Sequence, residues 1–511
     1  MFLTERVGII DIGSNTIRLV IYERLESWKH FEELENIKIT ARLRSYFDET
    51  QSLNEAGIER LMTALEEFHN ILEHYKVNEF ICVATASIRQ AANKEEILQI
   101  VKEKIQITIK LLGDYEEAFY GVNAVLHSIP INEGITIDIG GGSTEITYFK
   151  DRTIKQYHSF PFGALSLKLQ FVKGDIPTDE ERKHIRKYLF EQFQAFPWIT
   201  NRQAPVIAIG GSARNVGQIH QQLIKYPLDE MHQYEMSLDD IVKTKEDLLP
   251  LSYIELQKTD GLSKDRADTI LPAFEVFEVV CNMVHATKFI ISRRGLRDGI
   301  LYQKWMDNDH SNLPLLDVSI AKFRKNFYIG TQDEKQLLKI AAVLFEAVQT
   351  KEEISDQFTK QDFTLLALGA RIFHLGKKAT AETSSDTFHL LVNRTILGLS
   401  HRDKLKLALV SSYKGKGTFQ KYLRAFKEWF TPSEQKTLCV LGAILKISQS
   451  LNISNQNTVI DLQISKEDKV HWMLHVICKG YYRPEEYHFE KQKKHLEKLL
   501  KLTLDAKFHI K

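Results

Sequence analysis

The 511-residue chain is short of the residues that build extracellular and membrane scaffolds: it has four cysteines, 11 prolines and seven methionines. Cys82, Cys281, Cys439 and Cys478 are far apart, and three of them sit in apolar runs. They read as reduced core residues, which excludes a disulfide frame and a cysteine zinc site. No apolar run reaches membrane-spanning length, so no membrane partner is expected. Met1 to Arg6 runs straight into a strand pattern without a signal-peptide core, and a cytoplasmic location is expected. Low-complexity segments and nucleic-acid recognition motifs are missing too, so no nucleic acid is expected as a partner.

Net charge is also nearly absent, at +1, but it is unevenly spread. Residues 306–511 hold 32 Lys and Arg against 23 Asp and Glu, a local charge of +9, which leaves −8 on the rest. The basic residues are densest from Arg402 to Lys427. Such asymmetry suits a long polyanion, although a solvated helix face would look the same.

What is present is a glycine-rich turn that occurs twice. One copy reads Asp11-Ile12-Gly13-Ser14-Asn15-Thr16-Ile17-Arg18, the other Asp138-Ile139-Gly140-Gly141-Gly142-Ser143-Thr144-Glu145. An apolar run enters each turn and an alternating run leaves it, which predicts a β-hairpin with small and acidic residues at its tip. Glycine lets backbone N–H groups approach an anion, and Ser and Asn add donors. The aspartates cannot hold phosphate but can hold Mg²⁺ or its bound water. Two such hairpins facing one another would grip a phosphate chain from both sides, and the expected chemistry is phosphoryl transfer or hydrolysis.

At this length more than one domain is expected. Residues 1–126 read as three strands followed by helices and strands, with helices over Ser52–Tyr75 and Asp114–Leu126. Residues 127–306 repeat the scheme, as in a duplicated α/β fold. Asn308–Pro314 reads as a linker. Residues 315–455 are almost wholly helical by pattern, and 456–511 form a small α+β cap with two alternating strands, a basic helix and a short strand at 507–510.

Six stretches, in order, resemble the exopolyphosphatase / guanosine pentaphosphate phosphohydrolase family. They are Asp11 to Leu19, Ala84 to Asn93 (Ala-Thr-Ala-Ser-Ile-Arg-Gln-Ala-Ala-Asn), Glu116-Glu117-Ala118, Asp138 to Glu145, Gly210-Gly211-Ser212 and Gly295-Leu296-Arg297-Asp298-Gly299. The resemblance extends over the chain, and its specific part lies in the first 305 residues. It implies actin-like, ribonuclease H-like lobes, as in sugar kinases, with a cleft between them. It also implies a helical region related to HD phosphohydrolases and Mg²⁺-dependent removal of a terminal phosphate by water.

On that basis Glu117 is expected to be the general base, with Glu116 the alternative; both would also suit a helix N-terminus electrostatically. Asp138 and Asp11 are candidate ligands for Mg²⁺ or another divalent ion. Ser14, Asn15, Gly140, Gly141, Gly142 and Ser143 should cradle phosphate. Arg18, Arg89 and Arg297 could pair with it, although Arg89 could instead pair with a helix carboxylate. Gly211 and Ser212 should border the phosphate path, or an adenosine if the protein is a kinase. In the helical region, His374 is followed by Leu375 where an HD site needs an acid, and His389 is isolated, so no metal is expected there. Lys404, Lys406, Lys414, Lys416 and Arg424 are expected to line a polyphosphate channel, and a homodimer is expected. The expected activity is processive release of orthophosphate from inorganic polyphosphate. Hydrolysis of guanosine pentaphosphate and a non-catalytic phosphate sensor are the rivals.

Overall fold

A computed structural model of the protein describes residues 4–25, 31–77, 79–306, 315–329, 331–351 and 358–511. The expected linker Asn308–Pro314 lies outside the described residues. The chain divides into two compact units, Met1–Tyr226 with Met231–Leu313, and Pro227–Glu230 with Pro314–Lys511.

The first unit is built on two sheets. β1 (Thr4–Ile12), β2 (Thr16–Leu25), β3 (Glu32–Thr40), β4 (Glu79–Ala84) and β5 (Ile109–Leu111) lie in the order β3-β2-β1-β4-β5. β6 (Glu133–Ile139), β7 (Thr144–Lys150), β8 (Thr153–Phe160), β9 (Val206–Ile209), β10 (Tyr234–Met236) and β11 (Phe289–Ile291) lie in the order β10-β11-β9-β6-β7-β8. Each sheet has an antiparallel meander on one side and parallel strands on the other. With β10 set aside as an added edge, the two orders coincide, so the repeated turn marks a repeated fold. The leading strand is buried on both faces in each case: Val7 and Ile9 on one face with Ile10 and Ile12 on the other in β1, and Ile135, Ile137 and Ile139 on one face with Gly134 and Thr136 on the other in β6. Burial on both faces is what a central strand covered on each side shows.

Two helices cross between the sheets. The helix Asp114–Leu126 follows the first sheet in sequence, yet its Val122, Val125 and Leu126 pack with Phe149, Ile207 and Ile209 of the second. The helix Leu296–Met306 follows the second sheet, yet its Ile300 and Leu301 pack with Val7, Ile9, Val20 and Val83 of the first. The two helices meet at Gly299, where a Cβ would stand 1.9 Å from the Tyr120 carbonyl oxygen. Asn123 adds a side-chain bond to the Gly299 carbonyl at 3.0 Å. This close crossing carries Glu117 and Arg297 onto the floor between the sheets.

Among the described residues, the second unit carries helices and no strand from Leu315 to Leu451. Its central helix, Pro432–Ser450, is buried over most of its length and is capped by Thr431 and Glu434. β12 (Val459–Lys466), β13 (His471–Cys478) and β14 (Thr503–Ile510) then form one sheet. β14 is longer than the pattern suggested and runs parallel to β13 over its full length. The parallel pairing needs a crossover, which the helices Arg483–Gln492 and Lys494–Leu500 supply. Among the described residues no helix is long and apolar enough to cross a membrane. All four cysteines are free and buried.

Candidate active site

Both glycine-rich turns are hairpin tips, closed by Gly13 N to Thr16 O at 3.0 Å and Gly140 N to Ser143 O at 2.9 Å. The tips face each other. A Cβ on Gly141 would lie 3.1 Å from Asn15 N, and one on Gly142 would lie 2.8 Å from Ser14 Oγ. Residues directly opposite in an antiparallel pair share a face. Asp11 stands opposite Arg18, and Asp138 stands opposite Glu145. The duplicated hairpins therefore send an acid and a base from one sheet, and two acids from the other, into the same space.

That space is a cleft of about 170 Å³. Asp11, Ser14, Asn15, Arg18, Glu117, Asp138, Gly140, Gly141, Ser143, Glu145, Gly211 and Arg297 all line it. So do Arg214, Arg266 and Arg293, which, like Glu145, were not among the expected site residues. Gly142 supports the Ser14 tip and is not part of the lining. Ser212 is 2% exposed and accepts from Arg266 Nη1 at 3.1 Å, so it holds an arginine in place of phosphate.

Glu117 sits in the first turn of its helix and is 9% exposed. Burial and the neighbouring Glu145 push its carboxyl above the usual glutamate range, while Arg89 pulls the other way. Glu145 is raised in turn by burial and by Asp138, despite a hydrogen bond from Ser159 Oγ at 3.0 Å. Asp138 is pushed up to about 6 by burial and by Asp11, against the pull of Arg214. Glu116 points elsewhere. It takes the Gly113 N–H at 3.0 Å and Lys110 Nζ at 2.6 Å, and these bonds outweigh burial and lower its pKa. Of the two glutamates, only Glu117 reaches the cleft.

Three expectations change on contact with the geometry. Arg89 spends its guanidinium on Glu117, on Asp114 at 2.6 Å and on the Leu112 carbonyl at 2.6 Å. It orients Glu117 and is not free for phosphate, because the helix start brings two carboxylates within its reach. Arg297 donates to Asp11 Oδ2 at 2.8 Å, so each occupies the other. Lys404 is 1% exposed and paired with Glu230, so it is no channel-lining cation. Lys406 is half-buried beside Asp403 at 3.7 Å; Lys414 is half-buried, and Lys416 and Arg424 are exposed. His374 is fully buried, with Nδ1 against Thr383 Oγ1 at 3.0 Å and Nε2 against the Tyr413 carbonyl at 3.1 Å. His389 lies exposed on the helix Ala381–Val392.

The opposite wall is cationic. Burial and the other arginines push Arg214 down to about 9 and Arg18 down to about 10. Guanidinium groups crowded enough to disfavour their own charge describe a site completed by an anion. The acids beside them describe a place for a cation. No group of three or more metal-ligating side chains occurs among the described residues. Asp138 and Glu145 stand opposite one another on neighbouring strands and line one cleft, and Asp138 raises the carboxyl of Glu145. That fits Mg²⁺, which takes one or two carboxylates and fills its shell with water and phosphate oxygens.

The profile of the Ppx/GppA phosphatase family matches residues 20–308. Exopolyphosphatase 1 of Mycobacterium bovis is 23% identical over 320 residues, covering 61% of this chain and 92% of its own. The guanosine-5'-triphosphate,3'-diphosphate pyrophosphatase of Pseudoalteromonas atlantica is 22% identical over 359 residues, 68% of each chain. Among solved structures, the Aquifex aeolicus member of the Ppx/GppA protein family is similar at 26% identity and a TM-score of 0.53, covering 60% of this chain and 100% of that one. The family match ends before Leu315, so it bears on the first unit and leaves the helical unit aside.

Proposed function

Because the chain belongs to the Ppx/GppA phosphatase family, we propose that its cleft hydrolyses the terminal phosphoanhydride of inorganic polyphosphate, releasing orthophosphate processively. The observation that carries this is one cleft lined both by an acid pair, buried Glu117 and half-buried Glu145, and by the guanidinium-bearing residues Arg18, Arg214, Arg266 and Arg293. Water attacks the terminal phosphorus, and the bond to the bridging oxygen breaks. Glu117 accepts the proton of the water, and the shortened chain leaves with its charge met by arginine. Phosphoryl transfer of this kind is mainly a matter of positioning and charge stabilisation. A raised pKa suits the base, because an acceptor is most effective when its pKa lies near the working pH.

Mg²⁺, held by Asp138 and Glu145, would supply charge neutralisation at the phosphate oxygens. Asp11 is the weaker candidate because Arg297 holds one of its oxygens. The hairpin tips contribute Ser14, Asn15, Gly140, Gly141 and Ser143 as donors from both sides. A cytoplasmic homodimer, and an HD-like origin for the helices from Leu315 to Ser450, belong to the same proposal.

Removal of the 5′ γ-phosphate from guanosine pentaphosphate is the second reading, supported by the similarity to the Pseudoalteromonas atlantica enzyme. The +9 charge of residues 306–511 favours the longer polyanion. Orthophosphate release with Mg²⁺, from long-chain polyphosphate and guanosine pentaphosphate in parallel, separates the two. Long chains that persist while orthophosphate accumulates support the processive reading. Release from the nucleotide alone moves the assignment, and release from neither favours a sensor. Glu117→Gln should cut turnover by roughly 10²–10⁴-fold and leave polyphosphate binding in place; retained turnover would put the base elsewhere.

A further inference from the structure

Arg266 is unusual among the cleft arginines in lying between two acids, Asp265 and Asp268, and pairing with neither. The one hydrogen bond of its guanidinium among the described residues is to Ser212 Oγ, at 3.1 Å. It also lies flat against Gly211, where a Cβ would stand 2.3 Å from Nη2. The two flanking acids are taken up by residues of the first sheet and the loop that follows it. Lys38 Nζ meets Asp265 Oδ2 at 2.7 Å, and Thr40 Oγ1 lies 3.4 Å from the same oxygen. Arg42 holds Asp268 with both ends of its fork, at 3.0 and 3.3 Å, and donates to the Asp265 carbonyl at 3.0 Å. Lys168 is a more distant partner of Asp268, at 3.6 Å.

Arg42 has a second attachment. Its backbone is left-handed, with φ 48° and ψ 43°, a conformation a non-glycine residue keeps only when its surroundings hold it. One restraint is its own N–H, which donates to the Asn15 carbonyl at 2.9 Å, at the tip of the first hairpin. A single residue thus ties the first phosphate-facing tip to the acids that flank Arg266.

We propose that Lys38 and Arg42 are positioning residues that release Arg266 to a phosphate chain by occupying Asp265 and Asp268 when the two sheets close on the cleft. If the clasp opens, those acids are left beside a guanidinium with no carboxylate partner, and they draw it out of the cleft. Closure and the arrival of a fresh cation are then one event. The identity of the bound anion as a phosphate chain rests on the proposed function; the clasp itself rests on the distances above.

The test is calorimetric binding of inorganic tripolyphosphate to the full chain in chelator, where turnover does not interfere. Arg266→Ala should weaken binding roughly ten- to a hundredfold, the range for a charge-assisted hydrogen bond. Lys38→Ala with Arg42→Ala should weaken it by a similar factor, but by less than about twofold when Arg266 is already Ala. Adding Asp265→Asn and Asp268→Asn to the Lys38→Ala, Arg42→Ala chain should restore affinity, since no acid remains to withdraw Arg266. Lys38→Arg keeps the charge that faces Asp265 and should bind within about threefold of wild type, whereas Arg42→Lys loses the fork on Asp268 and should bind between wild type and Arg42→Ala. A merely structural clasp predicts equal losses with and without Arg266 and no restoration, and either result overturns the proposal. Wild-type chain that fails to bind tripolyphosphate in chelator, with Glu117→Gln chain that fails to bind it in Mg²⁺ as well, overturns the phosphate reading and the clasp together. Binding that survives the loss of Lys38 and Arg42 overturns the clasp alone.

Discussion

Neutralising Asp138 should make the protein more stable while stopping its chemistry. The carboxyl has an ordinary pKa of 3.8 and is pushed up to about 6 in the fold, with burial the largest cause. A group whose folded pKa is raised binds more protons in the native state, so its contribution is greatest at low pH and is lost as pH rises through the folded value. Between those two pKa values the loss accumulates at about 1.4 kcal/mol per pH unit. It reaches about 1 kcal/mol at pH 4.5 and about 3 kcal/mol at pH 8, where it levels off. Asp138→Asn has no such dependence. Its advantage over wild type should therefore grow by about 2 kcal/mol between pH 4.5 and pH 8. For a unit of this size that is a rise of roughly 5 °C in melting temperature at the higher pH. Scanning calorimetry of both chains at the two pH values measures it, with the transition of the first unit identified by its shift with tripolyphosphate. Orthophosphate release should fall to background in the same variant. An Asn variant that is less stable at pH 8, or whose advantage is the same at both pH values, would refute the idea that this acid is held in the fold at a cost.

Other consequences are simpler to state. The kcat/KM profile should rise with pH along a limb above the ordinary glutamate range. Arg89→Gln should move that limb upward, because removing the cation disfavours ionised Glu117. Gly299→Ala should lower stability by about 3 kcal/mol or more and reduce activity, since its methyl group would be forced onto the Tyr120 backbone and part the helices carrying Glu117 and Arg297. Lys404→Met should cost about 3–5 kcal/mol by removing the buried ammonium that faces the half-buried Glu230 carboxylate, which a thermal melt would read.

Much of the frame was legible because local pattern and tertiary role agree in it. The helix expected over Asp114–Leu126 has those bounds, and the two hairpins turn where the glycines said they would. The leading strand of the first sheet is apolar on each face because it is central to its sheet, whereas that of the second is apolar on the Ile135, Ile137 and Ile139 face alone. The exchange of helices was not legible. Sequence order assigns Asp114–Leu126 to the first repeat, and only its packing against Phe149 and Ile207 shows that it covers the second sheet. A helix records that it has an apolar face, not which sheet that face covers.

The site divides along the same line. Residues inside the glycine turns could be found because the turn chemistry is local. Glu145 was within reach: it stands seven residues after Asp138, as Arg18 stands seven after Asp11, and a strict alignment of the two hairpins would have put both on the cleft. Arg214 and Arg266 carry no such mark, since each becomes a cleft residue only when the second sheet and the segment before Ile270 come together. Arg89 and Lys404 failed in the opposite direction. Each is a cation in a suggestive position whose partner, Glu117 or Glu230, is far off in sequence, and a sequence cannot say which charges are already spent. The unspent charges therefore define the site better than the charged motifs do. By that measure Arg214 and Arg266, which take no carboxylate partner among the described residues, have a stronger claim on a phosphate chain than Arg89 or Arg297.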